Sequence, residues 1–214
     1  MAVTFTVCLI ASNLYAAKII HVFGLNLPGS VIIFPVSYIL NDCICEVWGY
    51  KKARLVIWLA FAMNFLLVLG GQLLVWIPGA PFWDGAAHFN HFFNLAPRIT
   101  IASLLAFLVG SWFNATVMSR MKVADKGRRF GVRAIASSLV GEFFDSLIFI
   151  PLAFWGMPAA AMLAMMLSQV SVKVAYEVVI LPLTATVVGK VKKYEGTDVF
   201  DNGISYNPFK FFDL

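Results

Sequence analysis

Residues 30–54 read SVIIFPVSYILNDCICEVWGYKKAR, and this stretch determines the class of protein. Its first part, residues 30–48, is almost entirely apolar and is about as long as a helix that crosses the hydrocarbon core of a bilayer, which needs roughly 20 residues. The run contains Asp42 and Glu46 and is followed by the basic residues Lys51, Lys52 and Arg54. The stretch therefore predicts a membrane helix with charges in its interior and a basic connector at its end.

Further windows of similar length and composition indicate a polytopic membrane protein. The six predicted spans cover residues 4–23, 30–48, 55–77, 99–118, 132–155 and 159–188. Since 61% of the 214 residues are hydrophobic and 13% are charged, the apolar surface exceeds what one water-soluble core of this size could bury. The runs lack the alternation of a membrane β-barrel. We therefore predict an all-α fold, with a six-helix transmembrane domain over residues 1–200 and a cytoplasmic C-terminal tail over residues 201–214.

Positive charge in the connectors predicts the orientation of the chain. Lysines and arginines cluster after the second, fourth and sixth spans, within residues 51–54, 120–133 and 190–193. The other three connectors contain no lysine or arginine; they are residues 21–29, 79–97 and 156–158. Because basic connectors stay in the cytoplasm, both termini are expected there, as an even number of spans requires.

Ionisable side chains inside the spans indicate a polar interior. A charged group near the centre of a membrane helix costs roughly 2.5 to 3.5 kcal/mol, so several of them in one chain indicate a function. The residues concerned are Lys18, Asp42, Glu46, Glu142, Asp145, Lys173 and Glu177. Spacings of three or four residues place the neighbours among them on shared helix faces.

The depth of these residues in their spans separates their expected roles. Glu46 lies near the cytoplasmic end of its span and is expected to reach water beside Lys51, whereas Lys18 is expected to reach the outer surface. Acidic residues outnumber basic ones among these side chains, and three ways of balancing the buried negative charge stay open. Some carboxyls are protonated, or Arg98 or Arg133 points inward, or a ligand supplies hydrogen-bond donors. The residues expected to face one cavity near mid-membrane are Asp42, Glu142, Asp145, Lys173 and Glu177.

Motifs of soluble enzyme chemistry are absent from the sequence, which contains no G-x-x-x-x-G-K-[ST], no H-E-x-x-H and no G-x-S-x-G. We expect no enzyme activity, no catalytic residues and no cofactor. His88 and His91 lack the further ligands that a metal site needs, so no metal is expected. The basic residues set topology, so no nucleic acid partner is expected.

Transport of a small polar solute across the bilayer is the function that remains after these exclusions. Three spans precede residues 79–97 and three follow, which is consistent with two halves of inverted orientation.

A long, ordered set of residues resembles one family of transporters. Residues 34–42 read FPVSYILND and are followed by Glu46, Gly49 and Tyr50, which gives the pattern F-P-x-S-Y-x-x-N-D with a downstream E-x-x-G-Y. Further matching positions are Asn13, Lys18, Pro97-Arg98, Ser137-Ser138, Asp145-Ser146, Lys173, Tyr176-Glu177 and Tyr206-Asn207-Pro208-Phe209. This set covers nearly the whole chain and is similar to that of the queuosine precursor transporter family.

The resemblance implies an inner-membrane importer of 7-deazaguanine bases for queuosine salvage, chiefly 7-cyano-7-deazaguanine, with the 7-aminomethyl form as a second candidate. A carboxylate suits the N1–H and amino edge of such a nucleobase-like substrate. Lys173 or an Asn or Gln side chain suits its carbonyl oxygen, and an aromatic ring suits its face. The residues expected to bind the substrate are Asn13, Lys18, Phe34, Tyr38, Asn41, Asp42, Glu46, Arg98, Glu142, Asp145, Lys173 and Glu177.

Two sources of energy stay open at this point. The chain could be a self-sufficient carrier that uses protons on buried carboxyls. It could also be the substrate-binding subunit of an ATP-driven importer of the energy-coupling-factor type, for a vitamin or a nucleobase. The second reading requires an external partner that supplies the energy, and the first does not.

The orientation is testable by labelling single cysteines in cells. Asp84→Cys should react with a membrane-impermeant maleimide in intact cells, because residues 79–97 are expected outside. Lys126→Cys and Asn202→Cys should react only after the cells are permeabilised. Labelling of residue 126 in intact cells, with residue 202 protected, would contradict the predicted topology.

Overall fold

The computed structural model describes residues 1–210, and the side chains of all of these except residues 94–96 and 100. Within that range the chain forms five α-helices, one antiparallel strand pair and one 3-10 helix. In chain order they are α1 (Ala2–Ala16), β1 (Ile19–Val22), β2 (Leu25–Pro28), the 3-10 helix Gly29–Ile32, α2 (Phe34–Trp76), α3 (Ala86–Ala124), α4 (Phe130–Ala153) and α5 (Ala159–Glu195).

The helices confirm the predicted class of a mainly helical membrane protein. Among the described residues, the four helices α2 to α5 are long and apolar enough to cross a membrane, and α1 is apolar but shorter. The six crossings stay a prediction, because α2 covers the second and third predicted spans in one stretch of 43 residues.

A break at Gly49 divides α2 into two consecutive helices, residues 34–48 and 50–76. Gly49 has φ 82° and ψ 173°, a conformation that is essentially open to glycine alone. The basic residues after the break, Lys51 to Arg54, are therefore helical rather than part of a loop. The break replaces the connector that the sequence predicts between the second and third spans.

The first predicted span, residues 4–23, is wrong at its C-terminal end. The helix α1 ends at Ala16, and Ile19 pairs with Pro28 and Val22 with Leu25 in an antiparallel hairpin. Phe23 and Gly24 at the turn both have positive φ, as a two-residue hairpin turn requires. The residues Ile19, Ile20 and Val22 are apolar, which extends a hydropathy window, but β-branched side chains favour a strand.

Close packing of α3 against α4 sets the centre of the bundle. A Cβ atom on Gly110 would lie 2.8 Å from the carbonyl oxygen of Gly141, and one on Gly141 would lie 2.9 Å from that of Gly110. Small residues of this kind let membrane helices approach to backbone contact. The ring of Tyr38 from α2 packs against both glycines, so that α2, α3 and α4 meet at one point.

The basic residues of three connectors meet at one end of the bundle, which we call the basic end. Glu46, shortly before the break in α2, binds Arg133 at the start of α4 and Lys192 at the end of α5. The segment after α5 folds back onto this end, where the Val199 N–H donates to the Val47 carbonyl at 3.2 Å. At the other end, the hairpin lies beside the connector between α4 and α5.

The conformation of Gly49 is testable with two alanine variants of the same helix. Gly49→Ala should lower the free energy of unfolding by about 1 to 3 kcal/mol, because the new Cβ keeps the strained positive φ and meets Asp201 Oδ1 and Val199 Cγ1, each at 2.8 Å. Gly70→Ala is the control, since nothing lies within 4 Å of its Cβ position, and it should keep or raise stability. Equal melting temperatures of the two variants in detergent would contradict the break.

Candidate functional site

An ion triad occupies the interior of the bundle. The ammonium of Lys173 on α5 lies 2.6 Å from Glu142 Oε2 and 3.1 Å from Asp145 Oδ2, both on α4. All three side chains are buried. Glu142 and Asp145 are three residues apart, so that one helix face presents both carboxylates to the same lysine. The triad holds more negative than positive charge when both carboxyls are ionised.

The ammonium of Lys173 also lies on an aromatic ring. Its Nζ is 3.9 Å from the centroid of the Phe34 ring, within the range of a cation–π contact. Phe34 in turn contacts Tyr38 one helical turn later, with ring centroids 5.4 Å apart. One face of the Phe34 ring is therefore covered by the lysine.

A small polar cavity lies beside the triad, where α1 to α5 and the 3-10 helix converge. Its volume is about 10 Å³, which is room for about one water molecule. A nucleobase-sized ligand is far larger than this volume. The lining residues are Ser12, Asn13, Ala16, Ser30, Phe34, Ser103, Asp145, Phe149, Gln169 and Lys173.

Unpaired polar atoms line this cavity. Within the described part of the chain, Ser12 Oγ, Asn13 Nδ2 and Gln169 Oε1 are buried and have no hydrogen-bond partner. The other halves of the two amides are bonded, since Ser103 Oγ donates to Asn13 Oδ1 and Gln169 Nε2 donates to Ser146 Oγ at 3.2 Å. Leaving a buried polar atom unpaired costs about 1 to 3 kcal/mol. A ligand that bonds to these atoms would recover that free energy.

A second pair of carboxyls adjoins the triad. Asp42 on α2 and Glu177 on α5 are close enough to interact electrostatically, and both are buried. The hydroxyls of Ser137 and Ser138 approach Asp42 at 3.5 and 3.4 Å. The structure thus brings Asp42, Glu177 and the triad into one buried cluster, although Asp42 and Glu177 do not line the small cavity.

Glu46 does not reach water, and that expectation is wrong. Its carboxylate is buried and accepts two hydrogen bonds of 2.9 Å from Arg133 Nη2 and one of 2.6 Å from Lys192. Lys122 lies 3.9 Å away. Basic side chains from α3, α4 and α5 reach inward to this carboxylate, so that it is closed off from solvent at the basic end.

Five other residues from the predicted site do not line the cavity. Glu142 belongs to the triad, and Tyr38 packs against Gly110 and Gly141. The remaining three are Lys18, Arg98 and Asn41. Lys18 is exposed at the base of the hairpin, where its carbonyl accepts a hydrogen bond of 2.7 Å from the Gly29 N–H. Arg98 is exposed and donates to the Leu152 carbonyl at 2.9 Å. Asn41 is buried and donates to Asn114 Oδ1 at 2.7 Å, which ties α2 to α3. The structure gives none of the three a contact with the cavity.

Four residues that were not predicted as part of the site also line the cavity, namely Ser12, Ser30, Ser103 and Gln169. A serine in a membrane span does not by itself indicate a binding site, because serines also occur at ordinary contacts between helices. For Gln169 a signal existed, since it lies four residues before Lys173 and thus on the same helix face.

Outside the membrane helices, Asp198 is held as an anion at the basic end. Partial burial alone would raise its pKa, but hydrogen bonds from Lys122 and Lys192 lower the pKa below its usual value. The two ammonium groups lie 2.6 and 2.9 Å from Asp198 Oδ1. Asp198 therefore stays ionised at neutral pH and links α3 to α5.

A helical membrane bundle around a buried polar cavity is the architecture of a membrane transporter for a small molecule. The chain belongs to the family described as "Putative vitamin uptake transporter", which matches residues 28–187. The predicted absence of enzyme activity agrees with membership of a transporter family.

Curated relatives bear out the resemblance found in the sequence. A "Probable queuosine precursor transporter" of Bacillus subtilis (strain 168) is 28% identical over 181 residues, covering 83% of this chain and 77% of the relative. The "Queuosine precursor transporter" of Escherichia coli (strain K12) is 26% identical over 163 residues, covering 74% and 69%. No solved structure matches the chain.

The triad is testable through stability. Lys173→Met should lower the free energy of unfolding by about 3 to 5 kcal/mol, because Glu142 and Asp145 then stay buried without a cation. The triple variant Lys173→Met, Glu142→Gln, Asp145→Asn removes every charge and should recover most of the loss. Melting temperatures in detergent measure both, and a single variant as stable as the parent would contradict the ion triad.

Proposed function

We propose that this protein imports a queuosine precursor, a 7-deazaguanine base, across the cytoplasmic membrane. The substrate is chiefly 7-cyano-7-deazaguanine, with the 7-aminomethyl form as a second candidate. The observation that carries the proposal is the buried cavity that joins a carboxylate, a lysine and two phenylalanine rings with unpaired amide and hydroxyl groups. The names of the relatives support the substrate class.

The groups of the cavity suit the edges of such a base. Asp145 would accept from the N1–H and the amino group side by side, as a carboxylate does with paired donors. Lys173 would donate to the carbonyl oxygen on the neighbouring edge. Phe34 or Phe149 would stack on the ring, which contributes about 1 to 3 kcal/mol per base.

Stacking of the base on Phe34 would require Lys173 to move away from that ring. The ammonium now covers that ring and neutralises the two carboxylates of α4. A bound base offers the carboxylate new donors and offers the lysine a new acceptor, so that the charges stay paired as the site widens.

The proposed topology places the basic end in the cytoplasm, with both termini there and six membrane crossings. The basic residues of three connectors meet at that end, as the positive-inside rule requires of a cytoplasmic face. The two helices of α2 on either side of Gly49 would then be separate crossings. Two inverted halves are part of this proposal, since three crossings precede residues 79–97 and three follow.

The proposed carrier works without an external energising subunit. Purified protein alone in liposomes should exchange labelled 7-cyano-7-deazaguanine against unlabelled base inside. If the chain binds the base but exchanges none of it, it is a substrate-binding subunit that needs an ATP-driven partner.

Affinity of well-folded variants tests the site. Asp145→Asn should weaken binding of 7-cyano-7-deazaguanine by about tenfold or more, because the edge donors of the base lose their charged acceptor. Uptake should fall strongly in Asp145→Asn and in Lys173→Met. Asp84→Asn is the matched control, since Asp84 is exposed in the connector between α2 and α3.

Calorimetry with variants that match the parent in melting temperature gives the affinity. A ligand that binds the folded state alone also raises the melting temperature, which provides a second readout. Unchanged affinity in a stable Asp145→Asn variant would remove this carboxylate from the binding site.

A further inference from the structure

The break in α2 leaves backbone groups without helical partners. Around Gly49, the carbonyls of Glu46 and Val47 end one helix, and the N–H of Tyr50 begins the next. Such groups lose their partners within the helix and must bond elsewhere. In a membrane protein the cost is higher, because lipid supplies no hydrogen bonds.

The segment after α5 supplies two of the missing partners. The Val199 N–H donates to the Val47 carbonyl at 3.2 Å, and the Tyr50 N–H donates to Asp201 Oδ2 at 2.9 Å. Lys122 Nζ donates to the Glu46 carbonyl at 2.5 Å. Asp201, 151 residues further along the chain, thus does for the second helix of α2 what an N-cap residue does.

Asp201 also binds α3. It is buried, and Ser119 Oγ donates to its Oδ2 at 2.6 Å. A single carboxylate oxygen therefore joins the backbone at the break in α2 to a side chain near the end of α3. A Cβ atom at Gly49 would lie 2.8 Å from Asp201 Oδ1, which shows how closely the two fit.

The following residues fasten the segment along both helices. The Tyr206 carbonyl accepts hydrogen bonds from Tyr50 Oη at 2.9 Å and from Trp112 Nε1 at 2.8 Å. The carbonyls of Asn207 and Pro208 accept from Arg54 at 3.0 Å and from Trp58 at 2.8 Å. We call residues 198–208 the strap.

The strap lies at the basic end, in contact with the ion network of Glu46. Asp198 binds Lys122 of α3 and Lys192 of α5, and Lys192 also binds Glu46. The first helix of α2 begins at Phe34 and carries Tyr38 and Asp42 toward the site, so its angle to the second helix sets where these side chains lie. The hydrogen bonds of the strap at the break therefore hold that angle.

We propose that the strap is the gate of the basic end, and that Asp201 is the positioning residue that keeps α2 fixed at Gly49. Release of Asp201 frees the break, lets the first helix of α2 tilt and opens the Glu46 ion network. The role in uptake rests on the proposed function, because it is the step that lets substrate leave into the cytoplasm. The strap itself does not line the cavity.

The native cysteines report on this gate without any ligand. Cys43 and Cys45 are buried just before the break, whereas Cys8 is buried on α1 and serves as an internal control. The full-length protein in detergent is treated with N-ethylmaleimide, and the modification rate of each thiol is followed by peptide mass spectrometry. The variants compared are Asp201→Ala and Asp201→Asn.

Asp201→Ala should speed modification of Cys43 and Cys45 by about fivefold or more, the effect of a lost cap, while Cys8 keeps the rate of the parent. Asp201→Asn should stay close to the parent, since asparagine caps as well as aspartate. Rates in Asp201→Ala equal to those of the parent would overturn the proposal. Acceleration of all three thiols together would also overturn it, because it would show general support of the fold.

Exchange measurements in liposomes test the role of the gate in transport. Asp201→Ala should change the maximal exchange rate of 7-cyano-7-deazaguanine at least threefold, because the freed first helix of α2 changes how readily the basic end opens. Asp201→Asn should restore the parent rate. An unchanged rate in Asp201→Ala would overturn the gate, whereas failure of the parent itself to bind the base would overturn the proposed function and leave the thiol result standing.

Discussion

A charge buried in this helical bundle needs a partner there or has to be neutralised by a proton, and this constraint governs the interior. Lys173 is paired with Glu142 and Asp145, and Glu46 is paired with Arg133 and Lys192. Removing one member of such a set is far more costly than replacing the whole set by neutral groups. The two ion clusters therefore fix which faces of α2, α4 and α5 point inward.

The two clusters differ in what surrounds them. The triad adjoins a cavity with unpaired amide and hydroxyl groups and two phenylalanine rings, so its ions can exchange partners with a polar ligand. The Glu46 cluster contacts backbone and charged side chains at the basic end, and Glu46 is not among the residues that line the cavity. In the proposed mechanism, recognition and closure therefore belong to separate charge clusters, although both depend on residues of the first helix of α2.

Much of the fold and part of the site could be predicted from the sequence. Apolar length and composition indicate membrane helices, and the spacing of Glu142 with Asp145 places both carboxylates on one face. Hydropathy could not separate the end of α1 from the hairpin, since Ile19 and Val22 are as apolar as helical residues. The position of Glu46 near the end of its span can be derived from the sequence and predicts that it reaches water. The inward direction of Arg133 and Lys192, which bury it, cannot be derived from the sequence.

The apolar helices, the clustering of basic residues in connectors and the presence of charge inside the spans can all be predicted from hydropathy and residue spacing along one segment. The pairing of the charges, the position of the cavity and the partners of the backbone groups at the Gly49 break depend on contacts between distant segments. Those features join residues far apart in the chain, such as Tyr50 with Asp201 or Lys173 with Glu142. A hydrogen bond forms between groups about 3 Å apart in space, and no local pattern specifies which distant group arrives there.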